Sequence, residues 1–158
     1  MSKLLEIGQP ASNFTINNQD GKAVNLNGFL GQWLVLYFYP KDNTPGCTTE
    51  AQDFSKLTPE FEALGAKIIG ISPDSEKSHC KFIAKHQLSL ELLCDSDHQV
   101  AESYGVWGLK KFMGKEYMGI IRSTFIINPE QNIAYIWSNV RVKNHAETVL
   151  KKLRELQS

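Results

Sequence analysis

The run Trp33-Leu-Val-Leu-Tyr-Phe-Tyr39, closed by Pro40, is apolar without alternation. A strand with one face in water alternates, whereas a strand covered on both faces does not, so this segment belongs at the centre of a sheet. Pro40 has no amide proton to give a neighbouring strand and ends the run. A helical stretch follows, then a second buried run, Ile68-Ile-Gly-Ile71 within 67–72. After it, Pro73-Asp74-Ser75 opens a helix reaching about His86. Strand, helix, strand, helix predicts a parallel βαβ arrangement in an α/β fold.

The remaining elements attach to that unit. Phe14–Ile16 and Ala23–Leu26, joined by Asn18-Gln-Asp-Gly21, read as an N-terminal β-hairpin. The helix over 48–57 meets Thr58-Pro59-Glu60, a cap, an N1 proline and an acidic first turn, so it is expected to kink or split before resuming to Leu64. Residues 90–94 read as a third strand, 97–104 as a short helix and 105–114 as a long loop. Tyr117–Ile127 and Ile133–Trp137 then form an antiparallel hairpin that makes the sheet mixed. A last helix starts near Asn144 and aligns Val149, Leu150, Leu153 and Leu156 on one stripe. No linker or repeat interrupts the chain, and residues 1–158 are expected to form one domain.

Charge excludes several function classes. Lys plus Arg and Asp plus Glu both total 17, so no basic field attracts nucleic acid or acidic lipid. The stretch from Met1 to Gly8 is too short in apolar residues for a secretory leader, and nothing approaches membrane-spanning length, which points to a soluble, cytoplasmic protein. Three cysteines separated by 33 and 14 residues make no disulfide framework; in a reducing compartment at least one is available for redox or catalytic use.

Cys47 is the foremost candidate. It follows Thr44-Pro45-Gly46 where a buried strand gives way to a helix, and unpaired N–H groups at a helix start favour thiolate over thiol. Attack on a peroxide O–O bond needs a thiolate, donors that hold both oxygens, and stabilisation of the leaving oxygen. Thr44 offers a hydroxyl to the thiolate and the incoming oxygen, the Gly46 and Cys47 amides offer N–H groups, and Pro40 and Pro45 restrict the loop. A permanent cation is missing nearby, since Lys41 sits at the loop edge and Glu50 lies in the first helical turn. Arg122, in the apolar segment Gly119–Ile127, is the long-range candidate, because an unpaired guanidinium there is costly to bury.

These residues carry a resemblance to the peroxiredoxins, in the bacterioferritin-comigratory or Q-type branch. It extends nearly end to end, through Asp20-Gly21, the segment from Leu36 to Ala51 with Pro40, Thr44 and Cys47, then Gly70-Ile-Ser-Pro-Asp-Ser75, Tyr104-Gly-Val-Trp-Gly108, Lys111–Lys115 and Tyr117–Phe125 with Arg122. The resemblance implies a thioredoxin-like fold with a central mixed β-sheet flanked by helices, and reduction of hydrogen peroxide or organic hydroperoxides. It assigns Cys47 as the peroxidatic nucleophile, oxidised to a sulfenic acid, with Pro40, Thr44 and Arg122 completing the site and no cofactor or metal. The implied reductant is thioredoxin or a glutaredoxin-type system; the branch favours monomers, with some dimers.

The chain departs from the pattern at Gln52, where many relatives carry a resolving cysteine. Two internal alternatives remain beside an external thiol. Cys80 is favoured because some members place a resolving cysteine in that helix, although it also reads as an edge residue or a small buried hydrophobe. Cys94 ends an apolar strand and reads as packing.

Two other functions compete. A metal-binding module would draw on Cys47, His79, Cys80, Cys94 and His98, but the ligand spacing is wrong, and His79, His86, His98 and His145 read as exposed or cap-proximal. A thioredoxin-like thiol–disulfide oxidoreductase would need Cys-x-x-Cys, and Cys47-Thr-Thr-Glu50 lacks the second thiol. Trp107 and Phe112 are expected to border a pocket or an interface, and the Lys110-Lys111 loop is assigned no binding role.

Overall fold

The computed structural model describes residues 3–158; Met1 and Ser2, which open the stretch read for a leader, lie outside them. Thr15–Asn17 (β1) and Ala23–Asn25 (β2) pair antiparallel, and a short 3-10 turn at Leu26–Phe29 leads to Trp33–Phe38 (β3). Helix α1 (Pro45–Ala63) connects β3 to the parallel strand β4 (Ala66–Ser72), and α2 (Glu76–His86) connects β4 to the parallel strand β5 (Glu91–Cys94). The short helix α3 (Gln99–Ser103) precedes strands β6 (Trp107–Phe112) and β7 (Lys115–Ile120). Strands β8 (Ser123–Ile127) and β9 (Ile133–Ser138) and helix α4 (His145–Gln157) complete the chain.

The main sheet runs β5-β4-β3-β8-β9, with β8 antiparallel to both neighbours, so it is mixed and β3 is its centre. The unbroken apolarity of β3 has the expected cause. Val35, Tyr37 and the following Tyr39 pack with Phe54, Phe61, Phe82, Val149 and Leu153 beneath α1, α2 and α4. Leu34, Leu36 and Phe38 pack on the other face with Phe14, Leu26, Tyr104 and Phe125. Burying each such side chain contributes about 1.5–3 kcal/mol, which fixes the strand against sliding because a one-residue slip exchanges the two faces. Gly70 in β4 makes room for this packing: a Cβ there would lie 2.8 Å from both Leu92 Cδ2 and the Tyr37 ring.

Four expectations are corrected. Helix α1 runs unbroken from Pro45 to Ala63 with Pro59 inside it, rather than splitting. Here Thr58 turns its hydroxyl back to Phe54 O at 3.1 Å, so it serves as an interior residue and not as a cap.

The segment expected as a long loop is instead strand β6, paired with β7 through a tight turn in which Met113 (φ 51) and Gly114 (φ 81) both take positive φ. That is the backbone of a two-residue hairpin turn, written here with methionine where asparagine or aspartate is the usual signal. The expected strand Tyr117–Ile127 is consequently two strands. The chain leaves β7 at Ile120 and joins the main sheet at Ser123, with Ile121 bonding to Val106 O and Val140 to Arg122 O across the break. Arg122 therefore lies in the junction between two sheets, not in a strand.

The last correction concerns histidine. His79 is 0 % exposed inside the fold, neither exposed nor at a cap, whereas His145 follows the Asn144 cap of α4 as read and is buried there at 6 %. His98 occupies the N-cap position of α3 and stacks on Trp107 with 3.8 Å between ring centroids.

Candidate active site

The helix start forms as its sequence directs. Thr44 takes an extended conformation at the N-cap position, Pro45 fills N1 where no amide proton is needed, and the first helical bond is Thr48 N–H to Thr44 O at 2.8 Å. Gly46 and Cys47 precede that bond, so their N–H groups belong to the unpaired set at the positive end of the dipole. Cys47 itself is only 1 % exposed.

Arg122 reaches the helix from the β7–β8 junction, 75 residues away in sequence, and its Nη2 donates to Cys47 Sγ at 3.2 Å. Its Nη1 donates to Glu50 Oε1 at 2.5 Å. Cys47 and Glu50 are three residues apart on one helical face, so a single guanidinium spans both. Burial works against the Arg122 charge, but Glu50 and Cys47 outweigh it and hold its pKa above the ordinary value. The guanidinium is thus a fixed cation against the sulfur.

Glu50 is the residue that sequence reasoning missed as a partner. Its signal was present: an acidic residue one turn from Cys47, on the face shared with Ala51 and Phe54. It occupies the position that would complete Cys-x-x-Cys, where it orients the arginine instead. Burial pushes its carboxyl up to about 7, against the opposing pull of Arg122, and Oε2 has no hydrogen-bond partner among the described residues. A folded pKa above the unfolded one means that the stability contributed is full below the ordinary carboxylate range and is lost as pH rises through about 7. Thermal unfolding from about pH 4 to about pH 8 checks this: the Tm of the unaltered protein is expected to fall relative to Glu50→Gln as pH rises across that window.

The other expected residues stand close by, in different roles. The Thr44 hydroxyl donates to Lys41 O at 2.8 Å, which closes the loop before the helix instead of meeting the sulfur. Pro40 and Arg122 line a groove of about 450 Å³ with Leu109, Lys110, Ile121 and Val140. Lys110 donates to Ile120 O at 2.8 Å, and burial followed by the Arg122 charge lowers its pKa. Beneath the site the Tyr37 hydroxyl is buried without a partner among the described residues; burial, then Glu50 and Cys47, raise its pKa well above the phenol range.

The two remaining cysteines lie outside this cluster. Cys80 is on the exposed side of α2, its thiol donating to Gln19 O at 3.0 Å, so it is an edge residue and not a core one. Cys94 is half-buried at the end of β5, and burial pushes its thiol up to about 12. The metal ligands weighed from the sequence are not gathered. Among the described residues, the group close enough to share an ion is Asp42, Asp74 and His79, all within 4.8 Å. Tyr39, Ser72, Ser78 and the Asp42 amide already bond to its carboxylates.

Among the described residues no helix is long and apolar enough to cross a membrane. Residues 7–136 match the AhpC/TSA family. Peroxiredoxin Bcp of Bacillus subtilis is 49% identical over 152 residues, covering 96% of this chain and 97% of that protein. A putative peroxiredoxin bcp of Helicobacter pylori is 50% identical over 149 residues, 94% and 98% of the two chains. In structure, a Xylella fastidiosa PrxQ mutant superposes with TM-score 0.94 at 38% identity over 99% of this chain and 100% of the other. The Xanthomonas campestris bacterioferritin comigratory protein, studied for alkyl peroxide reduction, gives 0.90 at 41% identity over 99% and 100%. With its thioredoxin-like mixed sheet and N-terminal strand pair, the chain belongs to the AhpC/TSA family as a peroxiredoxin of the Bcp, or Q, branch.

Proposed function

We propose that this chain reduces hydrogen peroxide and organic hydroperoxides through Cys47, and that an intramolecular disulfide with Cys80 restores the site. The observation that carries the reading is the Arg122 guanidinium, 3.2 Å from the sulfur and held by Glu50. The thiolate attacks one peroxide oxygen, the O–O bond breaks, and Cys47 becomes a sulfenic acid while water or an alcohol leaves with a proton. Arg122 and the helix-start amides stabilise the negative charge in that transition state, where fixed donors are most effective. Pro40 shapes the mouth, and Thr44 holds the loop through Lys41 O.

Cys80 suits the second step better than Cys94. It is exposed on a helix, whereas Cys94 is half-buried with a thiol pushed up to about 12 and so supplies little thiolate. A thiol reductant, thioredoxin or a glutaredoxin-type protein, then reduces the disulfide at the surface. Treating the protein with one equivalent of peroxide and mapping its disulfides tests the pairing: a Cys47–Cys80 bridge is expected, and sulfenic Cys47 persisting beside free Cys80 would exclude it.

A further inference from the structure

Asp42 lies five residues before Cys47, and its side chain ties the loop that follows β3 to two successive residues of α2. Its Oδ1 accepts from the Tyr39 hydroxyl at 2.6 Å. Its Oδ2 accepts from the Ser78 hydroxyl at 2.8 Å and meets His79 Nδ1 at 2.7 Å, both on α2. The Asp42 N–H donates to Asp74 at 2.7 Å, and His79 Nε2 meets Leu93 O of β5 at 2.9 Å. Asp42 is 6 % exposed and His79 is 0 % exposed. Buried bonds of this kind resist opening, because an unpartnered polar group left behind is costly.

One residue later the character of the chain changes. Asn43 has φ 61 and is exposed, and its side-chain oxygen meets His86 Nε2 at 3.0 Å on the surface. The buried ties of this loop to α2 therefore end at a boundary between Asp42 and Asn43, beyond which the chain is next buried at Cys47. His79, which holds that boundary, is the residue before Cys80.

We propose that the Asp42–His79 pair is the pivot of the resolving step: it stays closed while residues 43–50 unwind, and so keeps the oxidised Cys47 within reach of Cys80. This rests on the reading that Cys80 resolves Cys47. Five extended residues span at most about 17 Å, and only two short side chains and one 2.7 Å bond separate the backbones at the pivot. Unwinding the first turn of α1 thus suffices to bring two Cα atoms to the roughly 4.4–6.8 Å that a disulfide needs. In that step the Cys80 thiolate attacks Cys47 Sγ, the S–S bond forms and the S–O bond breaks. The departing hydroxide and the proton released by Cys80 make water. Without the pivot and the Asp42 N–H bond beside it, the shortest held path between the two sulfurs runs back to the Tyr39 N–H bond with Ile71 O between β3 and β4 and out again to Cys80, about 17 residues. Closing that path instead of a link of about seven residues lowers the encounter rate by up to about fourfold, since closure probability falls as the 3/2 power of length.

Quenched-flow mass spectrometry after one equivalent of hydrogen peroxide resolves the two steps in the unaltered chain, Asp42→Asn, His79→Gln and a Cys80→Ser control. Both pivot variants are expected to form the sulfenic acid at the unaltered rate and the disulfide several-fold more slowly. They are also expected to accumulate more sulfinic Cys47 under excess peroxide. Asp42→Asn keeps the side-chain shape and decides the matter if His79→Gln does not fold. An undisturbed disulfide rate, or equal slowing of both steps, overturns the pivot while leaving the Cys80 reading in place. Failure of the unaltered chain to form the bridge overturns both.

Discussion

Replacing Cys47 by serine is expected to end peroxide consumption while the fold stands. The sulfur is 1 % exposed at a helix start, and serine fits its volume with the same backbone geometry. What is lost is the sulfur: an alcohol is a far weaker nucleophile than a thiol at neutral pH, although the Arg122 donor 3.2 Å away is kept. A purified peroxidase assay with an excess of thiol reductant checks the activity, and near-ultraviolet circular dichroism checks the packing. Substantial turnover in Cys47→Ser would remove this residue from its role.

Replacing Arg122 by glutamine is expected to lower the rate of sulfenic acid formation by about 10²–10³, the usual cost of removing one fixed donor from a site of developing negative charge. It has a second effect on the fold. Glu50 is 1 % exposed and loses its ion-pair partner, and leaving one member of a buried pair costs about 3–5 kcal/mol when the remaining charge is kept. With its pKa already pushed up to about 7, Glu50 escapes part of that cost by taking a proton. The double variant Arg122→Gln with Glu50→Gln separates the two effects. Its Tm is expected to recover relative to Arg122→Gln, whereas rapid-mixing measurement of the first step shows no recovery. Recovery of both would mean that Arg122 acts through the fold alone.

The parallel half of the sheet was legible because its residues have one demand each. Trp33–Phe38 and Ala66–Ser72 are buried on both faces, and nothing competes with that reading. The β6–β7 hairpin was not legible because it stands largely in solvent: its strands carry Lys110, Lys111, Lys115 and Glu116, so no apolar alternation marks them. The apolar run across Ile120 and Ile121 concealed a change of sheet, since both halves are apolar for different partners. Arg122 was correctly singled out as an expensive residue to bury, but its partner lay on another element and only the fold could join them. Glu50 and His79 were missed for a related reason. A charged or polar residue reads as exposed until the group that satisfies it is in view, and Asp42 and His79 stand 37 residues apart.

On the reading proposed above, in which Cys80 resolves Cys47, the contrast in exposure between the two thiols divides the two halves of the cycle by the size of the reactant. In that cycle the oxidant must reach a sulfur that is 1 % exposed, which a small hydroperoxide can approach and nothing built like a protein can. The reductant of the proposed disulfide meets no such limit, because Cys80 is exposed on α2. A bulky electron donor therefore never has to enter the chamber where the oxygen chemistry takes place, and a surface suited to docking it can change without altering which oxidants are admitted.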